Sequence, residues 1–463
     1  VSRQKNNALT SFFSGLILHS PARISIIAFA LLMLSGAMLL LLPAASTGGA
    51  IGFADALFTA TSAGCVTGLA VFDIVTRLTW FGQIVILILI QLGGLGIMTL
   101  STLFLLLAGR RLSLTGRIVI QDTFTHSKEQ SPSSIVFDVM LFALLIEGLG
   151  ALILFFRFVP KFGAAEALHL SIFHSVSAFC NAGFAMFSES FVSYCEDWVI
   201  NLTLSFLIIS GGIGFPVLSE LKHRFSFRHR RWSRLSLHSK LVLSSTAILL
   251  MLGTLMILLT EWRNTLAPLS FSGRVLAAFF QSVSARTAGF NTLPIGEMTD
   301  GTLFFIIVLM FIGASPGSCG GGVKTTTAGS LILLGISRVF GHARPRIFHR
   351  SIPESDIWKS LSLVMVSMFV ISLGVIFLLM TEVGQVSHFQ SRGKFLEILF
   401  ETVSAFGTVG LSTGITPHLS TAGKLIITFI MFIGRLGPLV IGIAISRQKI
   451  SRYSYAEENI MVG

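Results

Sequence analysis

Long apolar runs alternate along the chain with short polar or basic interruptions. The long runs cover about 23–43, 80–108, 135–158, 196–220, 240–260, 302–338, 357–381 and 423–446. Each meets the ~20 residues a helix needs to cross a ~30 Å hydrocarbon core, so the pattern predicts eight transmembrane helices. Between the members of each pair lies a shorter apolar stretch, such as FADALFTATSAG at 53–64. A helix of that length reaches only ~18 Å, too short to span, which predicts re-entrant helices. One long run is interrupted: FFIIVLM is followed by FIGASPGSCGGGVKTTT at 311–327. Five of the ten residues from Gly313 to Gly322 are glycine, and Pro316 sits among them. Glycine costs ~1 kcal/mol and proline ~3 kcal/mol relative to alanine inside a helix. Backbone groups freed in hydrocarbon cost more still unless protein or water satisfies them. The break therefore predicts a loop that lines a watery path or is buried in protein.

The short stretches repeat. FTATSAGCVTGL (58–69), FHSVSAFCNAGF (173–184), FQSVSARTAGF (280–290) and FETVSAFGTVGL (400–411) each run from Phe through Ser-Ala to a glycine followed by Leu or Phe. Those glycines are Gly68, Gly183, Gly289 and Gly410, and the third copy is one residue shorter after Ser-Ala. The pattern continues into the next run, where QLGGLG, ISGGIG, FIGASPG and FIGRLGP set Gly93, Gly211, Gly313 and Gly434 in parallel. Four short helices entering from one side would aim their partly negative C-terminal ends at a common axis. Glycine tolerates the left-handed dihedrals that turn successive carbonyls inward. A ring of such carbonyls replaces the hydration shell of a monovalent cation. The expected fold is an all-α membrane protein of four membrane-pore-membrane repeats, with eight transmembrane helices and four re-entrant pore helices around one central pore. Arg435 takes the slot that Gly94, Gly212 and Ala314 hold in the other copies. An arginine there costs at least ~2.5–3.5 kcal/mol on insertion scales, so it must face water, carbonyls or an acid.

Composition agrees. The 463 residues have a mean hydropathy of +0.83, with 53% hydrophobic and only 12% charged residues, against ~25% charged in soluble domains. Forty-one Phe and 44 Gly suit a tightly packed membrane bundle. The net charge of +12 is unevenly placed: 21 of the 33 Lys and Arg lie before the first run, at 110–128, in KHRFSFRHRRWSRLSLHSK (222–240), at 338–350 and after 446. By the positive-inside rule both termini are cytoplasmic and the short helices enter from outside. The charge thus sets topology, and no nucleic acid partner is expected. Residues 1–22 read as an interfacial segment rather than a signal peptide. Cys65, Cys180, Cys195 and Cys319 form no metal-spaced pair. No HExxH occurs, and no GxSxG stands as a nucleophile elbow between a strand and a helix (GASPG at 313–317 and GLSTG at 410–414 follow apolar helical runs), so no enzyme is expected. No GxGxxG stands in a soluble βαβ setting, so nucleotide control would need a partner. Parallel copies and an embedded arginine also differ from the inverted repeats and midplane acids of proton-coupled carriers.

The loops CVTGL, CNAGF, RTAGFNT and GTVGL, with FIGASPGSCGGGVKTTT and MFIGRLGPL, resemble the Ktr/Trk/HKT superfamily of cation transporters over nearly the whole chain. The length, the run SPGSCGGGVKTTT and the ending ENIMVG most resemble KtrB-type membrane subunits of bacterial Ktr potassium uptake systems. A TrkH-type subunit, or a less selective sodium/potassium transporter of the same superfamily, is the alternative. The resemblance implies K+ uptake across the bacterial cytoplasmic (inner) membrane, with K+ as substrate and Na+ as activator. It implies a homodimer in the lipid bilayer and a cytoplasmic KtrA-like regulatory ring, which alone would bind nucleotide (ATP or ADP).

Residue by residue, it implies a selectivity filter of Cys65, Val66, Thr67 and Gly68; Cys180, Asn181, Ala182 and Gly183; Arg286, Thr287, Ala288 and Gly289; and Gly407, Thr408, Val409 and Gly410. It implies a gate of Gly313, Ala314, Ser315, Pro316, Gly317, Ser318, Cys319, Gly320, Gly321 and Gly322, with Lys324 beyond it reaching toward the cytoplasmic interface, and Arg435 as a barrier in the pore. Gly68 stands where sodium-favouring members carry serine, which favours potassium. Cys65 and Cys319 stand where threonine is usual. Glu401 is expected behind the filter, and Glu147 in a helix–helix hydrogen bond. The implied segments are 1–22 (interfacial), 23–108, 109–221, 222–340 with the gate at 313–323, and 341–446 as the four repeats, and 447–463 as a C-terminal tail.

Overall fold

The computed structural model describes residues 21–95, 132–224, 232, 235–342 and 344–437. Most of the expected interfacial segment, the second run beyond residue 95, residues 225–231 and 233–234 of the basic stretch, and the tail 447–463 lie outside the described residues.

The chain repeats one order of elements: a long helix, a short helix, a loop and an apolar helix. The first unit is α1 (Pro21–Leu40), α2 (Phe53–Gly64) and α3 (Trp80–Gly94). The second is α4 (Pro132–Phe162), α5 (Ala164–Phe179) and α6 (Trp198–Ile213), continued by α7 (Phe215–Arg224). The third is α8 (Leu237–Glu261), α9 (Phe271–Ser284) and α10 (Asp300–Phe311), continued by α11 (Thr325–Val339). The fourth is α12 (Glu354–Leu378), α13 (Lys394–Gly407) and α14 (Thr421–Leu436). A two-stranded ribbon, β1 (Arg346–Ile347) with β2 (Arg350–Ser351), joins the last two units.

The units close on one another. The last helix of each packs on the short helix of the next: α3 on α5, α6 on α9, α10 on α13, and α14 back on α2. The closing contact carries an ion pair, Lys424 Nζ to Asp55 Oδ1 at 2.7 Å.

Within each unit the end of the long helix is tied to the residue that caps the last helix. In the second unit Arg157 Nε donates to Asp197 Oδ2 at 2.7 Å. In the third, Thr299 donates its N–H and hydroxyl to Glu261 Oε1, both at 2.9 Å. In the fourth, Ser420 Oγ donates to Glu382 Oε1 at 2.6 Å. In the first, Thr79 Oγ1 donates to the Ala44 carbonyl just past α1 at 2.6 Å. The tied residues Asp197, Thr299, Ser420 and Thr79 also cap their helices, accepting from the N–H groups of Ile200, Thr302, Gly423 and Gly82, and such side-chain caps are worth ~1 kcal/mol each.

Polarity is inverted relative to a soluble protein. Leu144, Leu145, Phe156, Met251, Leu259, Phe369 and Phe429 point outward and are exposed, while Ser62, Ser177, Asn181, Gln281, Thr287 and Thr408 are buried. Large exposed apolar surface of this kind suits lipid, and the buried hydroxyls and amides mark a polar axis.

Among the described residues three helices are long and apolar enough to cross a membrane: Phe137–Phe162, Leu237–Glu261 and Glu354–Val383. The run expected as one span at 196–220 is broken: α6 and α7 meet at a 98° bend. Its pivot is Gly214 at φ +99°, a left-handed dihedral that glycine adopts without strain. The run 302–338 is broken as its composition predicts, α10 stopping after 12 residues and α11 starting at Thr325.

Candidate functional site

Each short helix ends in a loop of the same backbone form. Val66, Asn181, Thr287 and Thr408 have φ of 57°, 60°, 70° and 50°, and Gly68, Gly183, Gly289 and Gly410 have φ of 95°, 70°, 80° and 91°. The left-handed residue is thus always two before the glycine, including in the shorter third copy. Three of these residues are not glycine, asparagine or aspartate, and such dihedrals cost them ~1–2 kcal/mol each. The conformation is imposed by what the loop must do.

A serine in each short helix imposes it. The N–H groups of Thr67, Ala182 and Val409 donate to the carbonyls of Ser62, Ser177 and Ser404 at 2.8, 2.7 and 2.8 Å, and that of Ala288 to Ser284 at 3.0 Å. The same serines use their hydroxyls. Those of Ser62 and Ser404 accept from Gly68 and Gly410 at 3.1 Å, and that of Ser177 donates to the Phe184 carbonyl at 2.8 Å. Ser284 donates to the Phe290 carbonyl. Loop N–H groups are therefore turned back into the helix ends, which leaves the carbonyls for the axis. These four serines were visible in the sequence as the repeated Ser-Ala, but their task, a side chain holding a backbone, was not.

The loops touch in a closed ring. A Cβ built on Gly68 would stand 2.5 Å from the Ala182 carbonyl oxygen, and one on Gly183 2.7 Å from that of Ala288. One on Gly289 would strike the Val409 carbonyl, and one on Gly410 the Thr67 carbonyl. The α-carbons of the glycines approach one another in the same order, so no side chain fits at these positions. On one side of the ring opens a cavity of about 290 Å³ with all four glycines at its floor and Asp73 and Glu189 in its wall. Toward the ring run the C-terminal ends of α2, α5, α9 and α13, each carrying a partial negative charge.

On the other side lies the glycine-rich loop. It begins and ends side by side, Ile312 bridging Val323 and Gly313 N–H donating to the Val323 carbonyl at 2.9 Å. It also completes the broken α6–α7 span. The N–H groups of Ser315 and Cys319 donate to the carbonyls of Gly212 and Gly211, both at 3.1 Å, and Phe215 N–H donates to Gly317 at 3.0 Å. Two breaks in two helices thus satisfy each other's backbone, as low-dielectric surroundings require. Ser318 and Thr325 hydroxyls close the loop on Ser315 at 2.6 and 3.0 Å. Gly321 N–H donates to Thr408 Oγ1 at 2.9 Å, so the loop is tethered to the ring above it. A Cβ on Gly320 would overlap Thr287 Oγ1, and the Asn181 amide lies 3.2 Å from that same hydroxyl. Lys324, expected to reach for the interface, instead folds back, its Nζ donating to the Gly320 carbonyl at 2.6 Å.

Arg435 is buried beneath the ring and donates to two carbonyls, Nη1 to Cys319 in the loop and Nη2 to Gly93 in α3. It faces carbonyls rather than an acid. Pro316, Gly317 and Gly322 stay within the loop, with Gly317 and Gly322 left-handed at φ 69° and 68°. Ala314 and Gly313 line its base. Among the other expected ring residues, Cys65 and Cys180 cap α2 and α5, and Gly407 closes α13 with its α-carbon near the Met310 carbonyl. The Arg286 side chain is buried beside a small cavity lined by Thr246, Gly212 and Ala314, its Nη2 3.4 Å from Thr246 Oγ1. Glu401 is buried on α13 and accepts from Thr416. Glu147 accepts from Gln91 Nε2 at 3.2 and 3.3 Å, joining α4 to α3.

The sequence profile of the TrkH family, described as "Cation transport protein", matches residues 18–453. The chain belongs to the TrkH family. Family relatives extend over almost its full length. It is 41% identical over 446 residues to the Ktr system potassium uptake protein B of Bacillus subtilis, covering 96% of this chain and 97% of that one. It is 37% identical over 450 residues to the potassium/sodium uptake protein NtpJ of Enterococcus hirae, covering 96% and 97%. In fold it is similar to the crystal structure of the potassium transporter TrkH from Vibrio parahaemolyticus, with a TM-score of 0.72 at 18% identity, covering 93% of this chain and 86% of that one.

Proposed function

We propose that the chain is the membrane subunit of a potassium uptake system, and that the ring of four glycine loops is its selectivity filter. The carrying observation is the closed contact of Gly68, Gly183, Gly289 and Gly410, each left-handed and each lying on the next loop's carbonyl. A cage of backbone oxygens at the negative ends of four helices stabilises a dehydrated monovalent cation. The four units act as membrane-pore-membrane repeats (23–108, 109–221, 222–340 and 341–446), eight spans in all, with the cavity above the glycines as the outer mouth and both termini in the cytoplasm. The loop 313–323 is the gate, and Arg435 of α14, bound to the loop's Cys319 carbonyl, is the positive barrier beneath the filter. The membrane potential drives uptake, at ~2.3 kcal/mol per 100 mV for each charge.

The family setting supports a homodimer in the bacterial inner membrane, a KtrA-like nucleotide-binding ring on the cytoplasmic side, and Na+ as activator. The name of the Enterococcus relative, a potassium/sodium uptake protein, keeps a less selective transporter as the second reading.

Tracer rubidium uptake into liposomes, competed by potassium or sodium, tests the proposal. Potassium should compete far better than sodium, and Gly68→Ser should remove the preference. A serine variant with unaltered preference would mean the glycines serve packing alone.

A further inference from the structure

A cavity of about 240 Å³ opens between the end of α4 and the segment that starts α6, lined by Arg157, Pro160, Lys161, Tyr194 and Asp197, and it shares no residue with the ring or the glycine-rich loop. Two cations here face one carboxylate, and both oxygens of that carboxylate are already engaged. Asp197 accepts from Arg157 Nε on Oδ2 at 2.7 Å and from the Ile200 N–H on Oδ1 at 3.1 Å. Arg157 is half-exposed and commits only Nε among the described residues, so the N–H donors of its Nη atoms stay available. Lys161 lies one turn further along the same face of α4. Its Nζ donates to the Tyr194 hydroxyl at 2.9 Å and stands 4.6 Å from the centre of that ring, which holds the ammonium at the cavity wall. Pro160 has no N–H, so the Phe156 carbonyl lacks its helical donor and is left as an acceptor. Phe137–Phe162 is long and apolar enough to span, which sets its last turns at headgroup depth. Beside the cavity the surface is apolar, with Ile153 and Phe156 of α4 and Trp198 and Leu202 of α6 all exposed.

We propose that this cavity binds the headgroup of an anionic phospholipid, for which phosphatidylglycerol has the fitting chemistry. The phosphodiester accepts from the Arg157 Nη groups and from Lys161 Nζ, charge-assisted bonds of the strong kind. The glycerol hydroxyls of the headgroup donate to the Phe156 carbonyl. The acyl chains lie along the exposed apolar residues of α4 and α6, with Trp198 at the level where aromatic rings favour the membrane–water interface. A free inorganic phosphate would meet the two cations and leave that apolar strip uncovered. A choline headgroup carries no hydroxyl donor, and its own cation finds no unengaged acid here, because Asp197 is spent on Arg157 and Ile200. Bound in this way, the lipid braces Arg157 in its pairing with Asp197, the tie that fastens the second unit. The site stands whether or not the ring is a filter.

The test places the full chain in nanodiscs of phosphatidylcholine alone, or of phosphatidylcholine and phosphatidylglycerol in equal parts, and follows melting. In parallel, the lipid that stays bound through detergent extraction is counted by mass spectrometry. The wild type should melt several degrees higher with phosphatidylglycerol and retain it in preference to phosphatidylcholine, as a ligand of the folded state requires. Lys161→Gln leaves the Arg157–Asp197 pair intact and should weaken phosphatidylglycerol binding about fivefold, the ~1 kcal/mol that one basic side chain contributes toward anionic lipid. Lys161→Arg should keep the binding, as should Arg392→Gln in the loop after α12. Inorganic phosphate added to the phosphatidylcholine discs should barely move the melting temperature. Equal melting and equal retention of the two lipids by the wild type would overturn the site, a result that needs no variant to fold. A shift that inorganic phosphate reproduces in full would replace the lipid by a free anion, and retention unaltered in Lys161→Gln would put the lipid elsewhere; either outcome overturns the proposal.

Discussion

The third unit departs from the other three just below the ring. In α3, α6 and α14 the matched glycine (Gly93, Gly211 or Gly434) lies on the carbonyl of Gly64, Phe179 or Phe406. Each of those carbonyls belongs to the residue four before the loop glycine. A helix can approach that closely only where it lacks a side chain. In the third unit Gly313 lies instead on the carbonyl of Gly321, within its own loop. The same repeat position that elsewhere docks a helix onto the ring here starts a loop. Yet the ring itself keeps its form, with Thr287 and Gly289 left-handed like their counterparts. Symmetry is kept where the carbonyls meet and given up one layer below.

The strongest test of this contrast asks whether the ring is as symmetric as it looks. Gly289→Ala and Gly410→Ala should each lower rubidium uptake about a hundredfold, equivalent to ~2.7 kcal/mol, because both force a side chain onto a carbonyl at positive φ. A tolerated Gly289→Ala would make the third unit different in the ring as well. The next test separates the layers. Gly434→Ala should destabilise the fold by ~2 kcal/mol, the scale of an overpacked core, and lower the melting temperature in detergent. Gly313→Ala should leave melting nearly unchanged while altering uptake, since only the loop must yield; equal losses of stability would erase the distinction. A third variant, Arg435→Gln, should raise uptake about tenfold, as removal of ~1.4 kcal/mol of barrier would. Slower uptake would instead make the residue a structural clamp.

The smallest effect concerns the rim. Ser270, which caps α9, donates its N–H and hydroxyl to Glu196 at 2.9 and 2.6 Å, and these bonds hold the Glu196 carboxyl below the usual carboxylate range. A depressed folded-state value means the contribution is present above the unfolded value and is lost as pH falls through the folded one. The wild type should therefore lose slightly more thermal stability on acidification below pH ~4 than Glu196→Gln does. Parallel melting curves for the two would remove the rim contact from the account.

Much of this was legible in the residues. The short helix at 53–64 has the bounds its composition suggests, and the density of glycine and proline after Phe311 ends α10 there. The parallel glycines mark both the ring and the layer below it. The 98° bend at Gly214 was not legible, because an apolar run carries no sign of where its backbone finds partners. Those partners, the N–H groups of Ser315 and Cys319, lie about a hundred residues away in the chain and become visible only when both breaks are placed together. The side chain of Arg286 escaped for a related reason: position in a motif sets where a backbone goes, and packing decides where a long side chain turns. Lys324 is the same case, its ammonium finding a carbonyl of the loop before it finds the interface.

The capped ends of the helices carry a consequence for how such a molecule can change. Arg157 with Asp197, Glu261 with Thr299, Glu382 with Ser420 and Thr79 with Ala44 fasten every unit at the end away from the broken loop. On the proposed function, with the ring as filter and the loop as gate, fidelity is set at one layer and throughput at another. On that reading, substitutions in the loop away from its Gly321–Thr408 tether retune how fast ions pass and leave which ions are accepted to the ring, so the two traits can drift, or be engineered, as separate quantities.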